Sequence, residues 1–127
     1  VTRSITYDAG ALILADRAHG RILAIHREAL RHKMRITVPA GVLAQAWRGG
    51  PQPALSRILK GCLVEPLSEA RARSAGHLCA RAGTSDVIDA TVVLGAGIRG
   101  DAVVTSDRVD IERLADALGV AIDVIDI

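Results

Sequence analysis

Aromatic residues are almost missing from this chain, which has one Trp, one Tyr and no Phe in 127 residues. A core without rings must be built from aliphatic side chains. The scarcity also argues against nucleic-acid modules that stack bases on several exposed rings. Cysteine is scarce as well. Sixteen residues separate Cys62 from Cys79, which matches neither a zinc-ligand spacing nor a redox Cys-x-x-Cys. Both lie among apolar neighbours, where thiols behave as small hydrophobes, and this usage fits a reducing cytoplasm. No apolar run approaches the roughly 20 residues of a membrane span, and no segment reads as a signal peptide. Low-complexity and disordered classes are excluded too, because 50% of residues are apolar and only 24% charged.

What is present is a polarised charge pattern. From Arg17 to Lys60 there are nine Lys or Arg against one acid, Glu28, with His19, His26 and His32 added. From Asp86 to the end there are nine acids against Arg99, Arg108 and Arg113. The net charge of +2 hides this division. Two readings remain open: ordinary solvated helix faces, or a basic half steering a polyanion toward an acidic site that holds a cation.

The length suits one domain over residues 1–127. "SITYDAG" opens with a β-favouring run ending at Asp8, which is placed to cap a short helix over "AGALILA". "GRILAIHREALRHKM" has helical apolar spacing with basic residues between. "RITVP" predicts a second strand, with Pro39 as a first-turn residue of the helix "AGVLAQAWRG". "GGPQP" is a turn, "ALSRILKG" a short helix, and "CLVEPL" a strand. "SEARARSAGHLCARAG" is a helix with Ser68 as cap and Gly83 as stop. "TSDVIDATVVLGAGIRG" is rich in β-branched residues, yet its length and a Ser85 cap favour a helix. Its Val87, Thr91, Leu94 and Ile98 fall along one side, while Gly95 and Gly97 allow close backbone approach. "DAVVTS", "VDIERLADALG" and "VAIDVID" follow as strand, helix and strand. Alternation of this kind predicts an α/β three-layer sandwich around a mostly parallel sheet.

In such folds ligands lie beyond the carboxyl ends of the strands, where Asp8 and Asp107 both fall. Asp86 and Asp89 share one face at the head of the candidate helix. If that helix begins beside strands one and four, Asp8, Asp89 and Asp107 meet, with Asp86 at the rim. Two carboxylates about 4 Å apart repel by roughly 4 kcal/mol at an effective dielectric near 20. Such a cluster therefore holds protons or binds a cation. Oxygen ligands without His or Cys select a hard ion, Mg²⁺ or Mn²⁺, and the Asp-rich loop of a calcium site is missing. The chemistry implied is phosphodiester hydrolysis. Each acid also has a plainer role: Asp8, Asp107 or Asp110 as a helix cap, Asp86 as a first-turn acid, Asp101 as part of a turn. Thr105 and Ser106 are candidates for orienting carboxylates or touching phosphate. Arg48, beside Trp47, is a candidate contact for RNA or a protein partner.

"YDAGAL", "VPAGVLAQAWRGG", "TSDVIDATVV" and "DAVVTSD" occur in an order and spacing that resemble the PIN domain, a metal-dependent nuclease fold. The resemblance covers essentially the whole chain. It is greatest to VapC-like ribonuclease toxins of type II toxin–antitoxin pairs. It implies that Asp8, Asp89 and, eighteen residues later, Asp107 are catalytic and hold Mg²⁺ or Mn²⁺, with Asp86 an additional acid and Asp110 an outer one. It implies hydrolysis of RNA to a 5′-phosphate and a 3′-hydroxyl, a cognate antitoxin, a homodimer and a cytoplasmic setting. One departure stands out. The family's early-helix Glu falls where this chain has Gln45, whose amide brings an oxygen but no charge. That leaves a second reading, a catalytically weak PIN-like module binding RNA or protein. Phosphoryl transfer through an aspartyl intermediate fits less well, since no paired acid follows Asp8 and no Lys follows the late strand.

Overall fold

The computed structural model describes residues 4–127. Five strands form one sheet in the order β3-β2-β1-β4-β5, with every neighbouring pair parallel. They are β1 (Ser4–Tyr7), β2 (Arg35–Pro39), β3 (Leu63–Glu65), β4 (Ala102–Thr105) and β5 (Val124–Asp126). The register sets Ile5 opposite both Ile36 and Ala102, so β1 is flanked on both sides.

Seven helices make the connections. They are α1 (Ala9–Asp16), α2 (Gly20–Arg31), α3 (Ala40–Ala46), α4 (Pro53–Lys60), α5 (Glu69–Ala82), α6 (Val87–Arg99) and α7 (Arg108–Leu118). α1 packs on α2, α3 and α4, while α6 packs on α5 and α7. The two helical groups cover the two sheet faces and complete the expected three-layer α/β sandwich. The chain winds outward from β1 to β3, then returns to the other side of β1 as β4. The strand order thus reverses between β1 and β4, which is where open α/β sheets place ligands.

The core is aliphatic, as the missing aromatics require. Ile5, Leu12, Ile22, Ile36, Val38, Leu55, Val103, Ile111 and Leu114 are buried, and burial of each such side chain contributes about 1.5–3 kcal/mol. Tyr7 is also fully buried, and its hydroxyl meets Nδ1 of the buried His26 at 2.8 Å. Desolvation pushes the Tyr7 hydroxyl pKa up and that of His26 down. Both cysteines are free thiols, and burial raises the Cys62 thiol to about 12.

The ambiguous β-branched segment is helix α6. Its seven central residues, Ala90 to Ala96, are all buried, so apolar residues surround it and the usual one-sided stripe disappears. The stripe expected from spacing does not form a buried face, because Val87 and Ile98 are exposed. Gly95 makes room for side chains rather than backbone. A Cβ there would lie 2.8 Å from Glu65 Oε1, 3.0 Å from Arg99 and 3.1 Å from Arg71.

Those side chains belong to a network that corrects the reading of Asp101 as a turn residue. Asp101 is buried. It accepts hydrogen bonds from Ser4 Oγ, from Thr6 Oγ1 at 2.8 Å and from Arg99 Nε at 2.8 Å. Arg99 also pairs with Glu65, and Glu65 with Arg71 at 3.2 Å. Two cap expectations shift as well. Asp86, not Ser85, caps α6. Pro39 ends β2 and stands at the cap of α3 rather than inside its first turn, a place that asks no N–H of it.

Candidate active site

Asp8 follows β1 directly and caps α1, its Oδ1 accepting from Ala11 N–H at 2.8 Å. Its other oxygen accepts from the Thr105 hydroxyl, and Thr105 Oγ1 in turn accepts from Asp107 N–H at 2.7 Å. One threonine at the end of β4 therefore ties the carboxylate after β1 to the backbone that begins α7. The loop after β4 lies close over α1 because Gly10 has no side chain. A Cβ on Gly10 would stand 1.8 Å from Ser106 Oγ. Asp8 is buried. Desolvation raises its pKa, opposed by hydrogen bonds from Thr105, Ala11 and the Ser106 backbone, and Asp107 adds a smaller repulsion.

The two later helices begin in the same way. Asp86 caps α6 by accepting from Asp89 N–H at 3.0 Å. Asp107 caps α7 by accepting from Asp110 N–H at 3.3 Å. "DVID" and "DRVD" are thus the same device: a capping aspartate, then a second aspartate in the first turn, where the helix dipole favours negative charge. The two helix heads bring their carboxylates together. Oxygens of Asp86, Asp89 and Asp110 all lie within 4.8 Å of one another.

This trio overlaps with the expected Asp8, Asp89 and Asp107 at Asp89 alone. Asp89 joins the two groups. Burial raises its pKa to about 8, assisted by the charge of Asp86, a proton shared with Asp86, and the charges of Asp8 and Asp110. Asp110 is raised by a hydrogen bond and charge from Asp107, partly offset by Arg113. Asp110, expected as an outer acid, thus brings an oxygen into the same cluster as Asp89. The signal for it was the Asp-x-x-Asp spacing repeated at two helix heads. Asp86 and Asp107 are exposed.

Gln45 lies exposed on α3. It is one turn beyond Gly41, where a Cβ would come within 2.4 Å of Ile88 in the first turn of α6. α3 is therefore seated against the helix head that carries Asp86 and Asp89. Ser106 is exposed and stands over Gly10. Arg48 turns back on its own helix, donating to the carbonyls of Trp47 at 2.7 Å and Ala44 at 3.3 Å. Trp47 is 42% exposed and lines an open apolar hollow with Leu43 and Leu59.

Among the described residues, none of the five carboxylates forms an ion pair with a basic side chain. At separations under 4.8 Å, two ionised carboxylates repel by about 3 kcal/mol or more at an effective dielectric near 20. The donor set is all oxygen and all acidic, which fits a hard divalent cation of the Mg²⁺ or Mn²⁺ kind. Asp8, Asp86 and Asp107 each give an oxygen to backbone N–H groups, which fixes the orientation of the carboxylates around the cluster.

No sequence-family profile matches the chain, and no curated protein matches it. Solved structures do. VapBC2 from Rickettsia felis, bound to a DNA fragment from its promoter, aligns at a TM-score of 0.70 and 15% identity, covering 97% of this chain and 98% of that one. FitAB bound to the IR36 DNA fragment aligns at 0.64 and 15% identity, covering 96% and 94%. PAE2754 from Pyrobaculum aerophilum aligns at 0.61 and 16% identity, covering 97% and 92%. At these identities the likeness is one of fold, and over nearly its full length this chain has the PIN-like fold of those proteins.

Proposed function

We propose that this chain is a single-domain, Mg²⁺- or Mn²⁺-dependent endoribonuclease, the toxin of a toxin–antitoxin pair working in the cytoplasm, commonly as a homodimer. The observation that carries the reading is the convergence of Asp8, Asp86, Asp89, Asp107 and Asp110 at the β1–β4 switch point without a basic partner. The fold shared with VapBC2 and FitAB supports the toxin assignment and a partner protein. No helix among the described residues is long and apolar enough to cross a membrane.

Asp8, Asp89 and Asp107 would hold the ion, with Asp86 and Asp110 contributing further negative charge. When bound, a hard divalent ion supplies Lewis-acid polarisation of a phosphoryl oxygen and a nucleophile at neutral pH. The chain's own part is positional. Thr105 fixes one oxygen of Asp8 to the backbone that begins α7, so the Asp8 carboxylate keeps its orientation toward that helix head. Asp89, with its pKa raised to about 8, favours its protonated form at neutral pH, and a bound cation would favour the ionised form by compensating its charge. Ser106 is exposed above Gly10 and could meet a phosphate approaching Asp8, whereas Thr105 is buried and orients the Asp8 carboxylate. The Arg- and Lys-rich first half supplies counter-charge for the RNA backbone.

Calorimetric titration with Mn²⁺ and cleavage of single-stranded RNA test the reading together. Wild type is expected to bind Mn²⁺ and cut, while D8N and D107N keep the fold and lose more than about 100-fold in cleavage. Cutting at the wild-type rate by either variant would refute their assignment. Gln45 favours the second reading, a PIN-like module that binds RNA or protein with weak catalysis. Absence of heat at millimolar Mn²⁺ would select it.

A further inference from the structure

The basic residues of the first half do not surround the carboxylates. β2 begins with Arg35, level with Ser4 at the start of β1, whereas Asp8 follows the end of β1. Four residue steps at about 3.3 Å put Arg35 about 13 Å along the sheet from the level of Asp8. At that opposite end lies an open cleft of about 540 Å³ lined by Lys33, Arg35, Ser4 and Gly61, with no carboxylate among the described residues of its lining. Lys33 and Arg35 are exposed, as is Lys60 immediately before Gly61. Among the described residues none of these three cations has an ion-pair partner. Glu28, the one acid of the basic half, is occupied by Arg31 and His32.

A second observation concerns the backbone. α5, α6 and α7 each end on a glycine in the left-handed region: Gly83, Gly100 and Gly119. After α2 the residue in that region is Lys33, with φ +55°. A side chain there is strained where glycine is not. Ala18 after α1 shares that region with φ +56°, so what sets Lys33 apart is this backbone combined with an exposed charge on the cleft.

We infer that this cleft is a second anchoring surface for RNA phosphates, remote from the carboxylates, so that the preferred substrate is an RNA long enough to reach both ends of the sheet. The inference rests on the nuclease reading for the identity of the polyanion. Phosphate contacts of this kind fix register and orientation without reading bases. A trinucleotide seated on the carboxylates would not reach Lys33 or Arg35, and a long strand or a folded RNA would.

The test measures binding without metal, so that it stands apart from cleavage. Anisotropy of a labelled long single-stranded RNA is recorded in EDTA over a salt series for wild type, Lys33→Gly, Arg35→Gln and the double variant. Each single change is expected to weaken binding severalfold and to flatten the slope of log K against log salt by about 0.7. Thermal melting of Lys33→Gly should be no lower than wild type, because the strain is relieved. In Mn²⁺, the double variant should cut a trinucleotide as wild type does and a long RNA more slowly. Unchanged affinity and slope would overturn the inference, and so would binding of polyglutamate in place of RNA. If wild type cuts neither substrate, the nuclease reading falls, while the slopes still decide the anchoring surface.

Discussion

Asp101 and Glu65 gather Arg99 and Arg71 around them, backed by the hydroxyls of Ser4 and Thr6. Elsewhere on the same sheet, Asp8, Asp86, Asp89, Asp107 and Asp110 converge with no guanidinium paired to any of them. The first group is closed: every buried charge faces its opposite, and Gly95 leaves the space in which they meet. The second is open, and its repulsion, eased only slightly by Arg113 beside Asp110, is left to protons or to a cation from solution. Acid clusters in one small protein thus serve opposite ends, and the presence of basic partners tells them apart.

Breaking the closed group should have the largest effect. Arg99→Met strands Asp101 as a buried charge and should cost about 3–5 kcal/mol in urea unfolding. Adding Asp101→Asn should recover part of it, and a neutral result for Arg99→Met would mean that the network is decorative. At the open group the sign reverses. Asp89 has its pKa raised from 3.8 to about 8 in the folded chain, so its ionisation opposes folding. Metal-free wild type should therefore lose stability as pH climbs through that interval, and D89N should lose less. Allowing for partial exposure of the carboxyl, D89N should be about 1–2 kcal/mol more stable at pH 8 in EDTA, a gap that Mn²⁺ should close. A wild type that gains stability over the same interval would contradict the open character of the group. The smallest effect is expected from Q45E. One added charge near the cluster is worth about 1 kcal/mol in a watery setting, or roughly fivefold tighter Mn²⁺ by calorimetry. Unchanged affinity would put Gln45 outside the ion's neighbourhood.

Most of the fold was legible because strand and helix signals agreed locally, as at Ser68 and Gly83, which start and stop α5 as their chemistry suggests. Surrounded helix α6 was harder, since a segment buried on every side loses the periodicity that identifies it. Convergence of Asp8 with the helix heads followed from strand order, which no local pattern encodes. Asp101 was misread for a related reason. Its sequence neighbours, Gly100 and Ala102, look like a turn, and the three groups that bond it come from β1 and α6, with Glu65 of β3 bracing Arg99. Lys33 left no trace in the sequence, because a positive φ shows only in the backbone.

The double employment of the capping aspartates bears on how descendants of this chain would decay. On the nuclease reading proposed above, a copy that had abandoned hydrolysis would still suffer from losing Asp8, Asp86 or Asp107, since each holds the first turn of a helix. Asp89 supports no turn with its own side chain and burdens the metal-free fold. In a lineage released from catalysis it is the first of the set that selection would let go, and its survival elsewhere would mark a protein still at work.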